Sequence, residues 1–171
     1  MTAPRTLALS AVALLLAVTF SGCFETTLNL GRSEDAKVDP AMCGTWEFSW
    51  ADGDNKGSAE ASVLNFDGRQ FYVQWNQQGE KPLHLRAFLV PVKDATFAQA
   101  TPLAADLEDK HLIVRVEIKG SKLMLRHLKE EFFGGINTDA QLRSKIEENL
   151  NNDQMYEGPW LAGSQIEKPA S

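Results

Sequence analysis

The sequence predicts a mainly β fold, an antiparallel meander that closes on itself, with one C-terminal α-helix packed on it. Three observations point there. Runs that alternate apolar and polar residues recur from Gly44 onward. Short turns rich in Gly, Asp and Pro join each run to the next. Leu142, Ile146 and Leu150 then recur at every fourth position, after a capping signal. Alternation marks a half-buried strand, and a spacing of four marks one face of a helix. Many strands joined by short turns build a barrel or a sandwich, and closure removes the exposed edges that invite aggregation.

The first run, Gly44 to Trp50, places Trp46, Phe48 and Trp50 on one face. Ala51 to Gly57 is a polar turn. Ser58 to Phe66 and Arg69 to Trp75 are joined by Asp67-Gly68, a strong hairpin signal because a type I′ turn needs positive φ at both centres. Leu83 to Val90 follows, with Leu83, Leu85, Ala87 and Leu89 sharing a face. Pro91 donates no hydrogen bond, so it marks an edge, a bulge or the end of that strand. Lys93-Asp94 turns the chain into Ala95 to Ala100. Leu112 to Ile118 alternates again with Val114 and Val116 inward, and Gly120-Ser121 leads into Lys122 to Leu128.

The tail changes period. Thr138 and Gln141 have capping-box spacing, Ile136 is placed to contact the first turns, and a helix is expected over 138–150. Pro159-Trp160-Leu161 would supply a last short strand or a plug, and Gly163 to Ser171 would fray.

Gly44-Thr45-Trp46, at the start of the first strand, resembles the G-x-W signature of lipocalins and their calycin relatives. The resemblance implies a small lipocalin-like up-and-down barrel with Trp46 packed at its closed end. It also implies an arginine near the last strand covering that Trp, and Arg126 is the candidate.

The N-terminus has a different job. Arg5 is followed by an almost unbroken apolar run, Leu7 to Phe20, which is shorter than the ~20 residues a bilayer-spanning helix needs. Phe20-Ser21-Gly22-Cys23 resembles the bacterial lipobox, with Phe20 where Leu is usual. The resemblance implies that residues 1–22 are a lipoprotein signal peptide, cleaved between Gly22 and Cys23, and that Cys23 carries covalent lipid. The plain alternative is a cleavable secretory signal beside an incidental cysteine. Lipid on Cys23 would hold the chain at a membrane, since each buried methylene contributes about 0.8 kcal/mol. In such lipoproteins Asp after the cysteine signals inner-membrane retention. Phe24 in its place implies the outer membrane. Residues 23–40 read as a lipidated flexible tether averaging about 20–25 Å end to end, and residues 41–171 as one domain.

Arg5 is the only charge before Cys23, so the remaining chain holds 16 basic residues of the total 17 against all 23 acidic ones. Such an acidic chain does not suit nucleic acid, and an anionic membrane surface would repel it. With Cys23 acylated, Cys43 is the only remaining thiol. It is either a small buried core residue or a reactive or intermolecular thiol.

Other chemistry-bearing residues are sparse. His84 and His111 fall out of phase with the apolar face of their strands and are expected in solvent, while His127 is in phase with Leu123 and Leu125 and turns inward. None of the three has metal-ligand spacing. The loop Asp52 to Gly57 superficially resembles a calcium loop, but Lys56 and Val63 stand where oxygen ligands are required. Asp106, Glu108 and Asp109 read as a solvated loop. Glu130 and Glu131 are neighbours, so on a strand they would point oppositely. Ala162-Gly163-Ser164-Gln165 lacks a nucleophile-elbow context. The expectation is therefore a non-enzymatic envelope lipoprotein with no cofactor beyond its covalent lipid. Two roles remain open. One is an interaction or assembly protein working through its outer surface on another envelope protein. The other is a barrel that binds a small apolar molecule or lipid. Interior volume discriminates between them.

Overall fold

A computed structural model describes residues 24–52, 55–104 and 109–167. The expected signal segment, its cleavage point at Gly22 and the lipid attachment at Cys23 lie outside the described residues. So do Asp106 and Glu108 of the acidic run.

Nine strands form one sheet: β1 Glu25–Thr26, β2 Gly44–Asp52, β3 Asn55–Asn65, β4 Phe71–Gln77, β5 Leu83–Val92, β6 Ala95–Pro102, β7 His111–Lys119, β8 Lys122–Leu128 and β9 Tyr156–Glu167. Strands β2 to β9 pair in order, all antiparallel, and β9 returns to β2, so eight strands close into a barrel compatible with a lipocalin-like one. The short β1 continues the sheet where β8 ends. Glu25 and Thr26 pair with Leu112 and His111, just beyond the Val114–His127 pair of β7 and β8.

The register carries the inward face from strand to strand. Trp46 lies opposite Ala61, Ala61 opposite Trp75 and Trp75 opposite Leu83. Further round, Ala98 lies opposite Val114 and Val116 opposite Leu125. A side-chain period of two makes this alternation obligatory once one face is apolar. One end of the barrel holds the start of β2 and the turns after β3, β5 and β7. The other end, the mouth, holds the long connection between β8 and β9.

That connection contains helix α1, Asp139–Asn149. It starts where the sequence predicts: the Thr138 hydroxyl accepts from the Gln141 N–H at 3.2 Å, and the Gln141 side chain accepts from the Asn137 N–H at 3.0 Å. Ile136 packs against the same core, and Lys93 Nζ donates to the Glu147 carbonyl at 2.6 Å, which satisfies the far end of the helix. Leu142, Ile146 and Leu150 face the barrel's outer wall.

A second core fills that outer interface. Val92, Phe97 and Leu128 of the strands, Leu142 and Ile146 of α1, and Met155 are all 0% exposed. Full burial of a Leu, Ile, Val, Phe or Met side chain is worth roughly 1.5–3 kcal/mol. The outside of the barrel is thus a major source of its stability.

The segment ahead of the barrel corrects the expected flexible tether. Residues 24–38 form a strap across the outer wall. Phe24, Leu30 and Ala36 are buried in the outer core. Gln99, only 1% exposed, accepts from the Leu30 N–H at 2.8 Å and donates to the Asn29 side chain at 2.9 Å. Gly31 crosses Val90 so closely that a Cβ would lie 2.8 Å from it. Apolar residues too sparse to show a period in sequence suffice to order the strap, because each meets a preformed apolar wall.

One turn and one strand also differ from expectation. Asp67-Gly68 sits inside a wider loop between Asn65 and Phe71, closed by the Phe66 N–H donating to the Gln70 carbonyl at 2.9 Å. The Asp67 carboxylate accepts from the Arg69 and Gln70 N–H groups, which stabilise its charged form and lower its pKa. The tail is β9, 12 residues long, and does not fray from Gly163. Gly163 is needed there: a Cβ would lie 2.5 Å from the Phe48 ring. Pro91, opposite Thr96, lies beside the Lys93-Asp94 turn at the end of β5.

Candidate functional site

The barrel interior is the candidate site, and it changes character along its axis. At the closed end the chain folds under the barrel: Pro40–Met42 form a 3-10 turn, and Met42 and Cys43 are buried against Trp46. The Trp46 indole donates to the Met42 carbonyl at 2.9 Å, and Gln165 donates to the Cys43 carbonyl at 3.2 Å. Gly44 has φ +142, and a Cβ there would meet Gln165 and the Glu167 carbonyl within 2.7 Å. This accounts physically for the glycine of the G-x-W motif, because only glycine adopts that backbone beside such close neighbours. Above it Phe48 lies on Gly163 and 5.2 Å from the Trp75 ring, among Val63, Phe71, Val116 and Leu123.

Toward the mouth the packing loosens. Trp50 lies across Gly57, where a Cβ would be 2.4 Å from the indole. Val73, Trp75, Leu83, Leu112, Val114, Leu125 and Leu161 occupy inward register positions yet are only half-buried. Trp46 and Phe48 on the same face of β2 are 1% and 0% exposed. Leu85, Ala87 and Ala100, inward on neighbouring strands, are buried, and Val73, Leu83 and Leu112 pack against them. The mouth half is thus an apolar cup that is filled less completely than the closed end, above Phe48 and Trp75.

His127 is placed inward as predicted, opposite Val114. Burial disfavours its charged form and lowers its pKa, an effect partly offset by Glu157. The cup thus offers apolar contact and one imidazole biased to neutrality. Polar contact at the rim includes Gln77, which donates to Glu80 at 2.8 Å.

The other singled-out residues lie elsewhere. Trp46 takes the expected place at the closed end, but Arg126 does not cover it, which corrects that pairing. Arg126 alternates with the inward Leu125 and His127, so it stands on the outer wall near the mouth. There it packs 4.2 Å from the Tyr156 ring centre and bridges to Asp153 at 2.9 Å. Arg115 lies directly opposite it across the sheet and contacts Glu117 at 3.2 Å and the Leu150 carbonyl at 3.0 Å. Two like charges face to face are costly on a sheet. These carboxylates, carbonyls and ring faces are what compensate.

His84 is exposed and shares a 2.6 Å hydrogen bond with the Tyr72 hydroxyl. His111, expected in solvent, is half-buried and bonded to Thr101 at 3.0 Å, and burial lowers its pKa. Cys43 is a buried free thiol whose pKa is raised chiefly by burial. That favours the core-residue reading, since the thiolate is the reactive form. Glu130 and Glu131 share a 3-10 turn, Glu130–Phe133, and are both exposed, so the strand geometry expected for them does not apply. Among the described residues, no group of three or more His, Cys, Asp or Glu converges to hold a metal ion.

The cup's β9 contribution, Leu161 and Gly163, is only faintly marked in the sequence. The signal there is one inward Leu two residues before a glycine, diluted by Gly158 and Pro159. A second concavity, about 320 Å³, lies outside the barrel between the strap and β5–β6, lined by Ser33, Gln70, Arg86, Phe88, Thr101 and Leu103 among others. No family model, curated protein or solved structure matches this chain.

Proposed function

We propose that this chain is an envelope lipoprotein, anchored through lipid on Cys23 after cleavage at Gly22, whose barrel holds a small apolar molecule in its mouth half. The observation that carries the binding role is the contrast inside one barrel between a closely packed end and an apolar mouth half where Trp75, Val114, Leu125 and Leu161 are only half-buried. Apolar clefts with few polar groups are the usual form of small-molecule sites. The anchor rests on the lipobox resemblance at Phe20 to Cys23. Outer-membrane placement rests on Phe24, a position that also has a packing role against Phe133.

Uptake of the apolar dye ANS tests the binding role. The full chain should bind ANS with enhanced, blue-shifted emission, and Val114→Phe, which fills the cup, should lose most of that binding while keeping its far-ultraviolet circular dichroism. Equal uptake by the filled variant would sink the reading. Cys23→Ser should move the chain from the membrane to the soluble fraction, and continued membrane retention would remove the anchor.

A second reading, docking of another envelope protein, draws support from the outer concavity. Phe66, beneath Arg86 at 3.9 Å, and Leu103 stand beside it, 52% and 49% exposed.

A further inference from the structure

We infer that the membrane anchor has no slack, so that the mouth of the barrel is pinned at the bilayer surface and the apolar cup opens beside the membrane. The inference rests on acylation of Cys23 and concerns what the described residues do to that anchor.

Phe24, the residue after Cys23, is 7% exposed, and its ring lies 4.5 Å from Phe133 in the outer core. Glu25 and Thr26 are already strand, paired with Leu112 and His111. Glu25 is bridged to Lys110 at 2.9 Å, and Thr26 accepts from the Leu28 N–H at 3.0 Å. Successive Cα atoms are about 3.8 Å apart, so acyl chains on Cys23 begin one peptide unit from a buried side chain. A free tether of the expected length would let the barrel turn over at the surface. This connection does not.

The chain reaches the rim from the β7 wall, Glu25 opposite Leu112 and then Thr26 opposite His111, so the anchor lies nearer the mouth than the closed end. His111 and Leu112 open β7 at the mouth, and Ile118 and Lys119 end it at the closed end. A strand advances about 3.3 Å per residue and tilts by roughly 40° in a small barrel, so the closed end stands about 15–20 Å from the anchored rim. With the barrel standing on that rim, its mouth is the end nearer the lipid. The partner this geometry fits is the lipid surface itself, held through the acyl chains.

Fluorophores on Lys81→Cys, in the exposed mouth turn after β4, and on Ser121→Cys, in the exposed closed-end turn after β7, read the orientation. Cys43, buried with a raised pKa, should stay unlabelled. The acylated chain, with its lipid verified by mass, is placed in phosphatidylcholine vesicles containing a headgroup nitroxide quencher. Quenching at position 81 should exceed that at 121 several-fold. About 12 Gly/Ser residues inserted between Cys23 and Phe24 should erase the difference, because such a linker averages roughly 20 Å. Equal quenching with the native connection, or stronger quenching at 121, would overturn the orientation and leave the anchor standing. A mass lacking lipid would overturn both.

Discussion

The two largest apolar cores of this protein lie on opposite faces of the same strands, and the drier one is outside the barrel. Beneath α1 and the strap, strand and helix side chains interlock to complete burial. Inside, complete burial is reached at Trp46 and Phe48 toward the closed end, while the mouth half combines the buried Leu85, Ala87 and Ala100 with half-buried apolar neighbours. Much of the burial lies where the chain wraps its own barrel, which lets the mouth half of the lumen be filled less completely. A solid barrel of this size would need its interior for stability. Here the outer layer supplies what the cup gives up.

The largest expected effect tests that asymmetry directly. Leu142→Ala, at a 0% exposed position under α1, should cost about 2–5 kcal/mol in urea denaturation, the range for a cavity left in a tight core. Gln99→Leu comes next. It strands the Leu30 N–H and the Asn29 side chain, and should cost about 1–3 kcal/mol, with faster proteolysis of the strap. Leu161→Ala in the cup should cost only about 1 kcal/mol, because the space it leaves joins one already open. Were Leu161→Ala as damaging as Leu142→Ala, the interior would be a packed core and the contrast would fail.

The smallest effect is pH-dependent. Burial lowers the pKa of folded His127 from its ordinary value of 6.5. As pH falls through about 6.5 the unfolded chain takes up a proton that the folded one resists, so stability declines toward acid. His111 acts with the same sign, so the comparison must be between wild type and His127→Gln. The variant should lose less stability between about pH 7.5 and 5.5, measured by denaturation midpoints. An identical loss would place His127 outside the buried set.

Much of the barrel was legible because local patterns and tertiary burial agree there. The alternation at Trp46, Phe48 and Trp50, its repeat at Leu123 and Leu125, and the cap at Thr138 each report a face or an end that the fold uses. Legibility failed where one residue does its work through a distant partner. Phe24, Leu30 and Ala36 look like scattered residues in a polar stretch until the outer wall of β5–β7 meets them. Gly163 looks like a strand breaker until Phe48 lies on it. Motif order alone pairs Arg126 with Trp46, although its position between Leu125 and His127 already puts it on the opposite face.

By itself, then, the sequence determined the fold class, the strand faces and the helix, because side-chain periodicity is a local consequence of backbone geometry. It also carries the apolar run Leu7 to Phe20, outside the described residues. Tertiary structure alone decided that β9 closes the barrel, that the strap is bound to the wall, and that the interior is packed more closely at one end than at the other. Those outcomes depend on which distant surfaces meet and how their volumes fill shared space, and no local pattern encodes that.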